Sequence, residues 1–354
     1  MNHQTRITHI GNIEFARGEY KTASMNTGTD LINICAEKAL HMDPVTPGQA
    51  LDLLNLPADC IMPLMAAADR VRRFHKGNVI SLCSILNARS GACTEDCAFC
   101  PQSVYQKSEA DEYRLMENGR IVEAASQAVK DGAQKFGIVT SGKGPEADKG
   151  DFAAICGSIK NIRSEVGIYR CASLGVITPD HAAALKEAGL QEFHHNLETA
   201  RSFYHNVCTT RSYDENVESV MAAKNAGLRV CCGGIFGMGE TAEQRIELAE
   251  ELRRLDVDSI PLNFLHPLKG TKLEGVKPLR PLEILRIISV YRLFFPDRDI
   301  KVAGGREVNL RDLQSFIFFA GANSTMLGNY LTTKGRKAED DLKMIADLEL
   351  EVVD

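Results

Sequence analysis

The chain has 354 residues, a formal net charge of −6, 25% charged and 44% hydrophobic residues, a balance that is ordinary for a globular enzyme. Its basic residues form no run or stripe, which argues against nucleic acid as a partner. No apolar run approaches the roughly 18 residues that span a bilayer, and the N-terminus lacks the apolar segment of a signal peptide, so a cytoplasmic protein with no membrane partner is expected.

The first 75 residues are predicted to form an N-terminal arm and a helical cap. Residues 1–27 are polar and without hydrophobic period, and an extended arm is expected there. A loose apolar face begins at Asp30, and residues 49–54 and 59–75 suggest two more helices,. The last of these ends in a basic turn closed by Gly77, which is typical of a helix C-terminus.

A strand–helix alternation then runs from residue 79 to residue 327. Eight strands alternating with helices predict a closed (β/α)8 TIM barrel over residues 76–333, followed by a tail over 334–354. A doubly wound open sheet is the alternative, but eight even repeats favour closure. The predicted strands are 79–86, 135–140, 167–174, 192–197, 229–237, 260–265, 300–303 and 324–327, and the helices are 119–131, 151–164, 179–188, 213–226, 242–255, 281–295 and 310–320.

The loop that leaves the first strand carries Cys93, Cys97 and Cys100 in a C-x3-C-x2-C spacing, with Phe99 before the last cysteine. Three thiolates can hold three irons of a cubane cluster and leave the fourth iron open to a ligand. This spacing resembles the radical S-adenosylmethionine (SAM) signature. The alternative is a zinc knuckle, but zinc normally requires a fourth Cys or His in a second close pair, and no such pair follows. Eleven cysteines without a secretion signal also favour metal and redox chemistry over disulfides.

The fifth predicted strand ends in a glycine-rich stretch. The spacing Gly233, Ile235, Gly237, Glu240 does not fit the dinucleotide fingerprint. It resembles the segment with which radical SAM barrels cradle adenine through main-chain groups, and Glu240 is also a candidate cap of the next helix.

The fourth strand ends in polar side chains. A period of two places His194, Asn196 and Glu198 on one face. Asn196 and Glu198 could hydrogen-bond ribose hydroxyls or an amino-acid head group, although a helix N-terminal charge is an alternative role for Glu198. His194 and His195 point to opposite faces, which disfavours a histidine metal site.

Three polar or sulfur-bearing side chains lie within other predicted strands. Asn263 stands in an apolar strand, where a buried amide needs partners that either neighbouring backbone or a substrate urea would supply. Cys171 and Cys231 are both mid-strand. A lone buried cysteine usually acts as a small hydrophobe, but two of them in one barrel suggest a second iron–sulfur site.

Long motifs from about residue 75 to residue 333 resemble the biotin synthase family. They are GACTEDCAFCPQS, HHNLETARSFYHNVCTTRSYDENV, GGIFGMGET, IPLNFLHPLKGT, VAGGRE and FAGANS. The resemblance implies a radical SAM TIM barrel, usually a homodimer, that inserts sulfur between C6 and C9 of dethiobiotin. It also implies reduction by a flavodoxin or ferredoxin.

The resemblance assigns roles to individual residues. Cys93, Cys97 and Cys100 would hold a [4Fe-4S] cluster whose open iron chelates SAM, and reductive cleavage would give a 5′-deoxyadenosyl radical. Asn196 and Glu198 match the positions that hold the ribose, where the family pattern has Asp in place of Glu198. Asn196 matches a position that holds dethiobiotin, and so does Asn263.

The chain departs from the family at the second cluster. In the familiar pattern a [2Fe-2S] cluster, held by three Cys and an Arg, donates the sulfur. Cys171 and Cys231 match two of these ligands, whereas the third Cys falls on Gly137 and the Arg on Lys301.

Extra cysteines suggest that this cluster is rebuilt. We therefore hypothesise a sulfur-donating auxiliary iron–sulfur cluster of altered type, ligated by Cys171, Cys231 and some of Cys208 and Cys232. Cys83 is a further candidate. Because adjacent strand residues face opposite ways, Cys232 reaches the interior only through a bulge.

Two other functions stay open at this point. A sister radical SAM enzyme, resembling the hydrogenase maturase or methylornithine synthase, would not insert sulfur. A zinc-bound or oxidation-sensing binding module would not catalyse a reaction, and it would be colourless where an iron–sulfur protein is brown.

Overall fold

The computed structural model describes residues 22–145 and 149–353. Eight parallel strand positions close into a barrel, because the last position pairs with the first at Ser324 and Ser81. The predicted TIM barrel is confirmed, since an open sheet would lack this pairing. The strands are β1 (Val79–Arg89), β2 (Lys135–Thr140), β3 (Tyr169–Ser173), β4 (Glu192–His194), β5 (Arg229–Cys231), β6 (Gly234–Phe236), β7 (Ser259–Phe264), β8 (Asp299–Val302), β9 (Ser324–Met326) and β10 (Glu351–Val352).

β5 and β6 share one barrel position, where the sequence predicts a single strand. Gly233 lies at the break, and a Cβ on it would lie 2.1 Å from the carbonyl oxygen of Pro261 in β7. A Cβ on Gly234 would lie 2.5 Å from the carbonyl oxygen of Glu198. Both glycines are therefore required by the close approach of neighbouring backbone.

The described helices are α1 (Thr22–Leu40), α2 (Pro47–Leu54), α3 (Ile61–Lys76), α4 (Asn118–Lys130), α5 (Lys149–Glu165), α6 (Pro179–Ala188), α7 (Tyr213–Asn225), α8 (Ala242–Arg254), α9 (Pro281–Phe294), α10 (Arg306–Leu310), α11 (Phe316–Phe319) and α12 (Ala338–Asp347). Capping boxes at Thr178, Ser212 and Thr241 begin α6, α7 and α8. These caps satisfy free backbone N–H groups and fix where each loop from the preceding strand ends.

The N-terminal helices α1, α2 and α3 pack beside the outer ring, against α8 and α9. Arg286 of α9 ties the two layers together by donating to the carbonyl oxygen of Leu54, at 3.3 Å. Residues 1–21 of the predicted arm lie outside the described residues. Among the described helices, none alone has the length and apolarity to cross a membrane, and only the bent pair Pro47–Leu54 and Ala58–Lys76 passes together, with an angle of 108°.

The C-terminal part differs from the predicted elements. The helix predicted over 310–320 is not continuous, because α10 ends at Leu310, where the next residue, Arg311, has a φ of 52°, outside the helical region,. A 3-10 turn at Arg311–Leu313 and the short α11 take its place. Residues 334–354, predicted as a tail, contain α12 and β10. A buried ion pair between Arg306 and Asp341, at 2.7 Å, holds α12 against α10, and β10 pairs with the beginning of β1.

The contact at Gly234 provides a test of the barrel wall. Gly234→Ala would place a Cβ against the backbone of Glu198, so we expect the free energy of unfolding to fall by about 1–3 kcal/mol, as overpacking does. Urea denaturation would measure the change. Gly275→Ala is the matched control, since a Cβ there meets nothing within 4 Å. Equal midpoints for the two variants would contradict the close approach.

Candidate active site

The three-cysteine loop is held in a defined shape above the C-terminal end of β1. The backbone N–H of Cys93 donates to the carbonyl oxygen of Gln102 at 3.0 Å, and that of Cys100 donates to the oxygen of Cys97 at 3.1 Å. Cys93 and Cys97 are buried, and Cys100 is half-buried. Of the three, Cys100 lines the cavity described below.

The spacing of the three thiols distinguishes the two metals considered for them. A single tetrahedral zinc ion would hold its sulfur ligands at about 2.3 Å from the metal, and therefore within about 4 Å of one another. Over residues 22–145 and 149–353, the thiols of Cys93, Cys97 and Cys100 do not form a group whose donor atoms all lie within 4.8 Å of one another. Binding of one zinc ion by all three thiols would therefore require them to move closer together.

The electrostatics of the loop also require a cation. Burial raises the pKa of the Cys100 thiol to about 11. A hydrogen bond with Cys208, together with burial, raises that of Cys97. A thiolate is therefore unfavourable here unless a positive charge lies beside it. Arg211 supplies part of that charge, and bound iron would supply the rest, so the donor set fits an iron–sulfur cluster.

Asp96, between two of the cysteines, connects this loop to the segment after β4. Its carboxylate accepts hydrogen bonds from the backbone N–H of Thr209 at 2.8 Å and of Thr210 at 3.2 Å. Burial opposes the charge on Asp96, but these hydrogen bonds outweigh it and hold the pKa below its usual range. The ionised side chain thus fixes the loop against the barrel.

The end of β4 provides an incompletely bonded carboxylate. Glu198 has a left-handed φ of 69°, and its backbone is paired with Gly234. Burial raises the pKa of Glu198 to about 7, against the positive charge of Arg211. In the described structure Glu198 Oε2 is buried without a hydrogen-bond partner. A ribose hydroxyl would satisfy this oxygen, so the site fits the adenosyl group of SAM.

Glu240 acts through the backbone of the glycine-rich loop. Its two carboxylate oxygens accept from the N–H groups of Gly237 and Met238, both at 2.8 Å. Arg245 donates to it at 2.9 Å. The cap of α8 predicted for Glu240 is Thr241 instead. Glu240 therefore shapes the loop that follows β6, the strand that contains Ile235.

A cavity of about 320 Å³ lies between these loops. Its wall includes Phe99, Asn196, Glu198, Ile235 and Asn263. The amide of Asn263 donates to the carbonyl oxygen of Gly234 at 3.2 Å and accepts from the N–H of Gly304 at 2.9 Å. These bonds use one donor and one acceptor site of the amide, so it retains a second N–H and a second lone pair for a ligand.

Below the cavity lining, the barrel interior contains a layer of cysteine sulfur atoms. Cys83 precedes the cavity-lining Ile85 by two residues, and Cys171 precedes the cavity-lining Ser173 by two, so each pair shares the interior face of its strand. Lys301 Nζ lies 3.8 Å from Cys231 Sγ. We call Cys83, Cys171 and Cys231 the interior cysteines.

The charge of Lys301 balances this layer. Burial opposes the ammonium, but Cys231, Cys83, Glu192 and Cys171 act in the other direction and the pKa of Lys301 is raised. Burial raises the pKa of Cys231 to about 11, while Lys301 lowers it. A protonated lysine has no lone pair for a metal, so Lys301 is a counter-charge to the sulfurs and not a ligand.

Two cysteines suggested for the second cluster do not join the interior layer. Cys232 is buried among the apolar side chains between barrel and helices, because β5 keeps its alternation through Cys231. The Gly233 break therefore does not turn it inward. Cys208 lies beside the three-cysteine loop, where its thiol is hydrogen-bonded with that of Cys97 and lies 3.6 Å from Thr210 Oγ1.

Sequence reasoning underrated two side chains of the interior layer. One donor atom each of Cys171, Glu192 and His194 lies within 4.8 Å of the others. Comparison of His194 with His195 alone does not reveal this group, because the partners of His194 are Cys171 of β3 and Glu192 of its own strand. The register that aligns Cys171 with Glu192 was the missing information.

Comparison with known proteins gives two family matches within the chain. Residues 88–252 match the model of the radical SAM superfamily. Residues 261–351 match the model of the biotin and thiamin synthesis associated domain.

Curated relatives share about half of their residues with this chain. Biotin synthase of Geobacter sulfurreducens is 54% identical over 321 residues, which cover 90% of this chain and 96% of that protein. Biotin synthase of Geotalea daltonii is 50% identical over 320 residues, with 89% and 96% covered.

Solved structures match in fold. Methylornithine synthase has a TM-score of 0.80 at 22% identity, with 90% of this chain and 97% of that chain covered. The hydrogenase maturase HydG has a TM-score of 0.80 at 15% identity, with 93% and 78% covered. At these identities the likeness concerns the barrel alone, and the sister-enzyme alternative gains no support from it.

The bonds of Glu240 predict a structural cost for its removal. Glu240→Gln would remove the charge that holds two backbone N–H groups and one of the two carboxylates that Arg245 contacts. We expect a loss of about 3–5 kcal/mol in the free energy of unfolding, typical of breaking a buried ion pair. Glu250→Gln, on the exposed face of α8, is the control. A change below about 1 kcal/mol in urea denaturation of Glu240→Gln would refute this role.

Proposed function

The chain belongs to the biotin synthase family of radical SAM enzymes, and from that premise we propose how its residues divide the work of converting dethiobiotin to biotin. The observation that carries the proposal is the order of groups along the barrel axis. The three-cysteine loop lies above the cavity. The interior cysteines lie below it, as Cys83 and Cys171 precede the lining residues Ile85 and Ser173 by two positions. A substrate in the cavity therefore lies between both sulfur sets.

Cys93, Cys97 and Cys100 are proposed as the ligands of the [4Fe-4S] cluster. When bound, this cluster supplies the electron that cleaves SAM into methionine and a carbon radical, chemistry that no side chain provides. Glu198 would accept from the ribose through its unpaired oxygen. Ile235 and Phe99 line the cavity with apolar surface, which excludes water from the reacting carbon. Gly233 and Gly237 leave main-chain groups near the adenine.

Asn196 and Asn263 are proposed to hold dethiobiotin. Both line the cavity, and an amide offers the paired donor and acceptor that a cyclic urea requires. Asn196 also accepts from the N–H of Gly233 at 3.2 Å. This hydrogen bond to the backbone of the barrel wall fixes the orientation of the Asn196 side chain, which also faces the ligand.

The interior cysteines are proposed as ligands of the auxiliary cluster that donates sulfur. Cys83 takes the place that the sequence hypothesis gave to Cys208 and Cys232. Gly137 packs closely beside this layer, since a Cβ there would lie 3.2 Å from Ile85 and 3.7 Å from Cys171. Lys301 supplies positive charge without a bond to iron.

Other parts of the proposal concern the protein outside the site. We propose a flavodoxin or ferredoxin as electron donor, a homodimer and a cytoplasmic location, as the family implies. The exposed apolar side chains Val104 and Tyr105 follow the three-cysteine loop and support a donor docking there. We also propose residues 76–333 as the catalytic barrel, with 1–75 and 334–354 as extensions.

An anaerobic assay tests this function. Reconstituted protein, given dethiobiotin, SAM and a reductant, is expected to form biotin together with 5′-deoxyadenosine, with iron beyond about four atoms per chain. Cys83→Ala and Cys171→Ala should each lose the additional iron and biotin formation while retaining SAM cleavage. Cys232→Ala is the matched control, since this buried cysteine neighbours Cys231 on the opposite face.

Two outcomes would contradict parts of the assignment. Additional iron that persists in Cys83→Ala would remove Cys83 from the ligand set. Formation of 5′-deoxyadenosine without biotin in the unmodified protein would leave radical chemistry but refute sulfur insertion.

The raised pKa of Glu198 predicts a pH dependence of SAM binding. The ionised carboxylate is the stronger acceptor for a ribose hydroxyl. Its pKa of about 7 means that the ionised fraction increases as the pH rises from 6 to 8. The Kd for SAM should therefore fall over this interval and then level off. Glu198→Gln should bind roughly 10-fold or more weakly, because a charge-assisted hydrogen bond is lost. The difference in Kd between the two proteins should shrink at pH 6, and a constant ratio across pH would contradict the assignment.

A further inference from the structure

The familiar ligand pattern of the auxiliary cluster has four protein donors, whereas the interior cysteines supply three. Gly137 offers no donor atom, and the ammonium of Lys301 has no lone pair. A fourth donor would have to come from the barrel wall at the level of the three sulfurs. His194 and Glu192 of β4 are the candidates, because each has a donor atom within 4.8 Å of Cys171 Sγ.

Strand register places both side chains on the interior face. Glu192 is aligned with Cys171 of β3, and His194 is aligned with Cys231 of β5. Aligned residues of neighbouring parallel strands point to the same side of the sheet. His194 thus lies between two of the interior cysteines.

The two candidates differ in their existing bonds. Glu192 Oε2 lies 3.0 Å from Lys135 Nζ and 3.6 Å from Arg229 Nε. Its other oxygen, Oε1, lies 3.0 Å from His194 Nε2. Both oxygens of Glu192 are therefore occupied by cationic or N–H donors, whereas His194 has a single such contact.

A histidine held in this way has the form of a metal ligand. Metal-binding imidazoles commonly donate one ring N–H to a carboxylate, which fixes the ring and leaves the lone pair of the other nitrogen for the metal. With the Nε2 proton directed at Glu192, that lone pair is on Nδ1. Histidine replaces cysteine on iron in other iron–sulfur proteins, where it alters the properties of the iron that it binds.

We propose that His194 is a protein ligand of the auxiliary cluster, on the iron that Cys171 holds, and that Glu192 positions its ring. The inference rests on the proposed function, since it assumes that the interior cysteines hold a cluster. The chain thereby restores four protein donors with Cys83 and His194 in the roles that Gly137 and Lys301 cannot fill. Glu192 touches no reacting atom and is a positioning residue.

Mössbauer spectroscopy tests this ligand directly. Full-length protein reconstituted with ⁵⁷Fe and sulfide should contain an iron site with mixed nitrogen and sulfur ligation, distinct from the sites bound by sulfur alone. His194→Ala should lose this site, with auxiliary iron binding weakened by about 10-fold or more. His194→Cys should restore the iron content but give sulfur-only spectra. If His194 had only a structural role, His194→Cys would not restore the iron content while changing the Mössbauer spectrum.

Two more variants complete the design. Glu192→Gln should retain the nitrogen-ligated iron with an affinity lowered by about 10–100-fold, as for outer partners of metal ligands. His195→Asn is the matched control, because His195 lies on the opposite face and bonds to Asn216 at 3.0 Å. Its spectrum should equal that of the unmodified protein.

The outcomes separate this inference from the function on which it rests. If His194→Ala keeps the full iron content and an unchanged spectrum while Cys171→Ala loses the auxiliary iron, the histidine ligand is refuted and the cluster stands. If Cys171→Ala also keeps all its iron, the auxiliary site itself is wrong.

Discussion

Sulfur buried without a compensating charge is the constraint on which this site depends. Water is largely excluded from the thiols on the loop and inside the barrel, and desolvation opposes their ionisation. The fold places a cation beside each set, Arg211 near Cys97 and Lys301 near Cys231. Neither cation alone would neutralise three thiolates, so iron at the proposed sites would complete the charge balance. Metal binding and local stability would then be coupled at both places.

The alternation of side chains along the strands determines which residues reach the interior of the barrel. Cys83 and Ile85, Cys171 and Ser173, and His194 and Asn196 are pairs two residues apart, and the second member of each lines the cavity. A single strand register thus determines both the cavity lining and the layer of side chains below it. A slip of one residue in β4 would remove Asn196 from the cavity and His194 from the layer below.

Much of this arrangement could be predicted from local sequence, since period, cysteine spacing and glycine placement are properties of short segments. The barrel and the position of the three-cysteine loop follow from them. Contacts between distant segments could not be predicted in this way. The capping role expected of Glu240 is wrong because Thr241 begins α8, and the break at Gly233 depends on the backbone of Pro261 in another strand. The nearness of His194 to Cys171 likewise depends on a register that one segment does not contain.

Closure of the barrel by β9 has a consequence for how the protein is made. The hydrogen bond between Ser324 and Ser81 joins residues 243 positions apart, so the wall is complete only after nearly the whole chain has been synthesised. At about 5–20 residues per second, translation between these two positions takes roughly 10–50 s. Throughout that interval the edge of β1 that pairs with β9 in the finished barrel has no partner strand. Cys83 lies at this edge, aligned with Met326, so its burial is complete only once β9 has been made.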